Sequence, residues 1–500
     1  MNNNLSLTPF RILVASSEAQ SLMGSDALAE FVTTLSYTLG AMGHDIRLVL
    51  PAYPHLIAQA KRFTQQSRVC VAGSTHTARI LQGKLNPNIT VYLIDIPGQF
   101  DTPVNHGSYN ETSSWRNEHL AFGWFSRVVT LMAVNQAGLN WQPDLLHCNG
   151  WQSALAIALL AGEWSRPTTV YTLHENQHPF LTSEQITPLS IPVELLKTGT
   201  LAIDGHFSFE RGALLTADHI TTPSPGYCIE LVNEQTSYPL AGLLKTRLER
   251  FSAAPAGIDY HRWSPTTDPH IEQHFDSSSF ELKRMNRQRL LSEFGIELND
   301  HDLLISYIGS SITPLESDLL IKLLPRLEQF TPLKLLAAVP GPDEYIEKLK
   351  KRSETLASSF VLQVDKDDEP LKHRIIAGSD CLLLPDQSYT SPFLAQCALS
   401  YGTVPIVHGT GSMQEVLTDA TPSNLLHGVA TGFLYSENTL EQLLQALGRV
   451  HAFHAKPAIW WKKLALHGMN QSFHPSETAH GYLKIYQSAI DNPAASPATE

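Results

Sequence analysis

Charge is scarce in this chain: only 17% of its 500 residues are Asp, Glu, Lys or Arg. The 35 basic residues are outnumbered by 48 acidic ones, for a net charge of −13, and they form no block. A protein that neutralises many phosphates needs such a block, so nucleic acid is excluded as a partner. Cysteine is scarcer still, with Cys70, Cys148, Cys228, Cys381 and Cys397 scattered and no C-x-x-C pair. An odd, dispersed set suits buried free thiols in a reducing compartment, not a disulfide framework. Long apolar runs are missing as well: the longest, Ala154 to Ala161, is far too short to span a bilayer. Met1 to Pro9 lacks the basic start and apolar stretch of a secretory signal, so a cytoplasmic protein with no membrane partner is expected.

What the chain does hold is a globular composition: 43% of residues are apolar, with 29 Gly and 31 Pro. Disordered, collagenous and coiled-coil architectures are thereby excluded. Its length exceeds one ordinary core and suits two domains of roughly 200 to 250 residues. Short apolar runs alternate with longer amphipathic stretches: FRILVA from Phe10, DIRLVLP from Asp45, VYLIDIP from Val91, PDLLHC from Pro143, TTVYTLH from Thr168 and HITTPS from His219. The rhythm resumes with LLISYIG from Leu303, LKLLAAV from Leu333, CLLLP from Cys381 and VPIVHG from Val404. Such alternation predicts an α/β fold, parallel sheets covered by helices. The polar stretch Ser264 to Ser279 reads as a connection, which places a boundary near residue 260 and predicts domains over 1–260 and 261–475. Residues 491–500, rich in Pro, Ala and Ser, read as a flexible tail. Doubly wound sheets bind ligands at the carboxyl ends of their strands, so two such domains are expected to face one cleft.

LGAMGHDIRLVLPAYP (Leu39 to Pro54), FDTPVNHGSY (100–109), PDLLHCNGWQ (143–152), VYTLHEN (170–176) and FERGALLTADHITTPSPGY (209–227) form a familiar series. AGIDYHRWSP (256–265), HRIIAGSD (373–380), TGS (410–412) and TGFLY (431–435) continue it. In order and spacing these segments resemble bacterial glycogen synthases and plant starch synthases, retaining glycosyltransferases that extend α-1,4-glucan from ADP-glucose. The resemblance implies a GT-B fold, two Rossmann-like domains facing a cleft, with a helix over 476–490 crossing back to the first. It implies no cofactor, α-glucan and a nucleotide sugar as ligands, and another protein of glycogen metabolism as a partner.

The departures from that family are concentrated where its chemistry lies. Its first loop reads K-T-G-G-L, and here the Lys is Gly24 while the glycines are Asp26 and Ala27. The Arg and Lys that clamp the diphosphate correspond to Ser310 and Leu315, and the Glu that supports the leaving group corresponds to Tyr389. Each charge-assisted hydrogen bond is worth roughly 1.5 to 3 kcal/mol, so three lost cations remove about 5 to 9 kcal/mol if additive. That is roughly 10³ to 10⁶ in donor binding and transition-state support. His174 retains the family's catalytic position. Asn149, Trp151, His408, Thr410, Gly411 and Ser412 are candidate ligand-binding residues, and His408, His178 and Arg374 are the candidates to replace lost charge.

The expected function is therefore a glycogen synthase-like protein that is catalytically degenerate and acts as a glucan-related regulatory or scaffold protein. The alternative is an active transferase using ADP-glucose or another nucleotide sugar. A third class comes from His174-Glu175-Asn176-Gln177-His178, which matches the H-E-x-x-H pattern of zinc hydrolases. That pattern needs a helix, whereas this one follows a β-type run and is stopped by Pro179, so a loop and no metal site is expected. Trp151 reads either as packing or as a sugar platform, Tyr389 as filler or a new contact, and His174 as catalytic or as a hydrogen-bonded loop residue.

Overall fold

Each of the apolar runs becomes a buried strand, because a strand covered by helices on both faces has no side that must stay polar. In the computed structural model residues 9–20, 27–58, 63–100, 118–174, 179–233, 238–309, 314–340, 344–365, 368–385 and 391–494 are described. They divide into two compact units, the first running up to Pro255 and resuming at Pro475, the second from Ala256 to His474.

The first unit holds a nine-stranded sheet. Its strands are β1 (Arg11–Ala15), β2 (Asp45–Pro51), β3 (Thr64–Cys70), β4 (Thr77–Asn86), β5 (Ile89–Asp95), β6 (Leu145–Asn149), β7 (Thr168–Thr172), β10 (His219–Thr222) and β11 (Phe251–Ala253). A separate ribbon pairs β8 (Ala202–Ile203) with β9 (His206–Phe207). The sheet order is β11-β10-β7-β6-β1-β2-β5-β4-β3. All pairs are parallel except β4 with β3 and β5, which run antiparallel. Strand β1 lies between β2 and β6, in register from Arg11 opposite Asp45 to Ala15 opposite Val49. The chain therefore leaves β1 in opposite directions on its two sides, the topology that opens a crevice at the carboxyl ends of β1 and β6. The last helix, Pro475–Asp491, belongs to this unit and buries Ala479, Tyr482, Leu483, Tyr486 and Ala489 at helical spacing.

The second unit holds β12 (Leu303–Ile308), β13 (Leu333–Pro340), β14 (Phe360–Asp365), β15 (Cys381–Leu384), β16 (Val404–His408) and β17 (Phe433–Tyr435). Their order, β14-β13-β12-β15-β16-β17, is that of a Rossmann sheet, and every pair is parallel. Leu303, Ile305, Tyr307, Leu335, Leu383 and Ile406 anchor its core. The segment opening the unit is fixed by a buried ionic contact. His373 Nδ1 donates to Asp268 Oδ2 at 2.8 Å, Tyr401 donates to the same oxygen, and Trp263 stacks on the imidazole at 3.7 Å. No helix among the described residues is long and apolar enough to cross a membrane.

Candidate functional site

In the first unit the carboxyl ends of β1, β6 and β7 deliver Ser16 to Glu18, Asn149 to Trp151, and His174. The turn after β6 depends on Gly150, whose φ is 72°. That left-handed backbone is what favours glycine there, since the nearest obstacle to a Cβ is only the movable end of the Gln152 side chain. His174 is buried, and its Nε2–H donates to Asn149 Oδ1 at 3.0 Å while Phe31 meets the ring edge-on. Burial, with some help from the neighbouring His147, pushes His174 down to about 3, so the ring is neutral at pH 7.

His147 lies behind it on β6. Its Nε2 hydrogen-bonds Thr172 Oγ1 at 2.6 Å and its Nδ1 hydrogen-bonds the Tyr486 hydroxyl at 2.9 Å, while Tyr482 stacks on the ring. Burial pushes this histidine down to about 3 as well. Trp151 is only 3% exposed and packs edge-on against Phe122, inside the unit. Glu18, also buried, and Glu118 flank Tyr53, whose hydroxyl donates to Ser17 O. Burial raises Glu118 to about 7, which leaves it close to half protonated at neutral pH. Sequence reasoning missed both carboxylates. The available signal was the polar Ser16-Ser17-Glu18 run directly after a buried strand.

In the second unit β16 hands the chain to Gly409, Thr410, Gly411 and Ser412. Thr410 and Ser412 are buried with their hydroxyls 3.2 Å apart, and Gly409 N donates to Tyr435 O. His408 turns to Ser436 O at 3.3 Å. Arg374 lies on the helix Glu369–Gly378 and holds both carboxylate oxygens of Glu293, at 3.1 and 3.0 Å. Among the described residues no three His, Cys, Asp or Glu side chains converge as a metal site. His174 itself follows β7 outside any helix, and Glu175 to His178 lie outside the described residues.

Comparison with known proteins places this architecture. A model of the starch synthase catalytic domain matches residues 11–246. The chain is 32% identical over 487 residues to glycogen synthase 2 of Nitrosococcus oceani, covering 96% of this chain and 98% of that protein. This chain belongs to the glycogen synthase family. It is also 32% identical to glycogen synthase 1 of Methylococcus capsulatus, across 96% of this chain and 97% of the relative. The catalytic domain of starch synthase IV from Arabidopsis thaliana, solved with ADP and acarbose, superposes with a TM-score of 0.86 at 20% identity, covering 97% of this chain and 100% of that one. Sucrose-phosphate synthase from Thermosynechococcus elongatus gives 0.59 at 14% identity, covering 96% and 99%. The fold is GT-B.

Within this glycogen synthase homologue Ala27 opens the helix Ala27–Ala41, and Leu315 belongs to the helix Pro314–Leu323. Gly24, Asp26, Ser310 and Tyr389 lie outside the described residues, as does His178. The structure thus brings His174 and Asn149 together at one sheet end of the first unit. It gathers His408, Thr410, Gly411 and Ser412 at one sheet end of the second.

Proposed function

We propose that this glycogen synthase homologue is catalytically degenerate and serves as a glucan-related regulatory or scaffold protein. The observation that carries the reading is the loss of charge at the donor positions, where Gly24, Ser310 and Leu315 replace the family's cations and Tyr389 its Glu. The groups available to stand in support it further. Arg374 is held by Glu293, and His408 meets a backbone carbonyl, so neither is disengaged and aimed at a ligand. A diphosphate brought to a partly dry site without cations is strongly disfavoured. Calorimetric titration of ADP and ADP-glucose, with labelled-glucose transfer onto glycogen measured on the same sample, tests this. Silence in both is the expected result, and transfer overturns it. Co-sedimentation with glycogen tests the glucan side of the reading.

A second reading, an active transferase with ADP-glucose or another donor, is favoured by one observation. His174 is a neutral hydrogen-bonding group held in place by Asn149, an arrangement suited to a sugar hydroxyl. Turnover with any nucleotide sugar would establish it.

A further inference from the structure

Near its start the second unit runs through a segment, residues 262–275, that fastens to the helix Glu369–Gly378. Its attachments converge on His373 of that helix. The ring is 1% exposed, with Trp263 stacked on it at 3.7 Å and His270 edge-on at 5.0 Å. Its Nδ1 lies 2.8 Å from Asp268 Oδ2 and its Nε2 3.7 Å from Glu369 Oε1. An ionised carboxylate accepts and cannot donate, so two ring nitrogens that both face carboxylates both carry protons, and the ring is an imidazolium. Charge counting agrees. Asp268 and Glu369 bring two negative charges to the ring, Arg262 pairs with Glu369, and Tyr401 adds a neutral hydroxyl to Asp268. Lys372 and Arg374, the neighbours of His373 in sequence, project from other faces of the helix, and Arg374 holds Glu293. Lys283 is turned onto the carbonyls of Ile376 and Ala377. The imidazolium is the charge that balances Asp268, and a neutral ring would strand a carboxylate that is fully buried.

We infer that residues 262–275 form a clasp worked by pH: the charged ring of His373 pins the segment to the helix, and loss of its proton lets the segment lift while the sheet beneath stays folded. Arg262, Trp263 and Asp268 all fasten to one turn of the helix, at Glu369 and His373, so a single proton reaches every attachment. Asp268 is also the segment's internal knot, taking His270 N on its carboxylate and His274 Nε2 on its carbonyl, both at 2.8 Å. Behind the segment there is room to move, for Pro269 to Glu272 wall a cavity of about 320 Å³ against the helix Lys283–Glu293. Gln273 is tied to Asn286 by two hydrogen bonds and serves as the pivot. Burial opposes charge on His373, and the two carboxylates outweigh it and hold its pKa above the ordinary value. The clasp is therefore tightest below about pH 6.5 and slackens as pH rises through the raised value, where Nε2 has no proton for Glu369 and the stack on Trp263 loses its cation. It works in the same way whether or not the chain transfers glucose.

Hydrogen exchange resolved by peptide tests the clasp on the full chain, at pH 6 and pH 9 with labelling times scaled to the intrinsic rate. Trp263 N and Asp268 N, held by Asp259 O and Ser264 O, are among the reporters. Exchange over 262–275 should quicken about tenfold at the higher pH, the difference between charged and neutral hydrogen bonds, and should run well ahead of β12 and β13 at both. His373→Gln keeps a donor for Asp268 but no charge, so its segment should exchange alike at the two pH values and no slower than the wild type does at pH 9. Should that variant fail to fold, the wild-type pair decides alone. Tryptophan emission reads the proton itself, because an imidazolium stacked on indole quenches it: the part of the signal lost in Trp263→Phe should rise over the range in which protection falls. Equal protection of the wild-type segment at both pH values overturns the clasp. A segment that exchanges in step with β12 and β13 overturns it as well, since it would then come free only when the whole unit unfolds. So does a rise in emission with protection unchanged, for the ring would be titrating with the segment in place.

Discussion

His147 and His174 are both driven down to about 3, and the consequence for stability has a definite sign. Below about pH 6.5 the unfolded chain takes up protons at these positions that the native protein does not. Stability therefore falls as pH drops from about 6.5 toward 3, by about 2 kcal/mol for each histidine at pH 5. Urea titrations at pH 7 and pH 5 measure this, and His147→Gln should flatten the difference. The donor positions make a second test at single residues. Ser310→Arg with Leu315→Lys returns two charges to the clamp and should raise ADP affinity at least about tenfold by calorimetry. No gain would mean that the surrounding site has been reshaped and not merely discharged. In the first-unit site His174 and Asn149 were legible in sequence, and Glu118 was not. Glu118 acts electrostatically on Tyr53 from a helix far along the chain, and no local pattern announces such a neighbour.

The elements were more legible, for a physical reason. DIRLVLP becomes β2 over Asp45–Pro51, and LKLLAAV lies within β13, because a strand buried on both faces must be apolar nearly throughout. TQQSRVC announces nothing, yet it forms β3, an edge strand that is mostly exposed and held by backbone pairing to β4. The final helix is the element on which the site leans most. Tyr482 is fully buried against His147 and Phe31, so Tyr482→Ala should cost about 3 to 5 kcal/mol in chemical denaturation. Tyr486→Phe removes only the hydrogen bond to His147 and should cost about 1 to 2 kcal/mol. In the second unit burial works against charge on His373, but hydrogen bonds to Asp268 and Glu369 raise its pKa above the ordinary value. Its contribution is complete below about pH 6.5 and is lost as pH rises through the raised value. Asp268 is lowered, burial notwithstanding, chiefly by the same hydrogen bond, so its contribution is lost in acid. Asp268→Asn should cost about 3 to 5 kcal/mol, read as a lower unfolding midpoint near neutral pH.

At the scale of the whole molecule, the chain returns at Pro475 to the unit it left at Pro255. Removing residues 475–500 should destabilise the first unit and leave the second close to unchanged. Hydrogen exchange resolved by peptide distinguishes the two, with protection expected to fall over β6 and β7 and to persist over β12 and β13. Equal loss in both units would show that the helix stabilises the molecule in some other way. The same chain path bears on biosynthesis. At about 5 to 20 residues per second, roughly 10 to 45 seconds of translation separate Pro255 from Pro475. Through that interval His147 has no Tyr482 or Tyr486 to rest against, and the portion made first is the portion finished last. A ribosome-bound nascent chain should complete its second half while its first half still waits for the final helix.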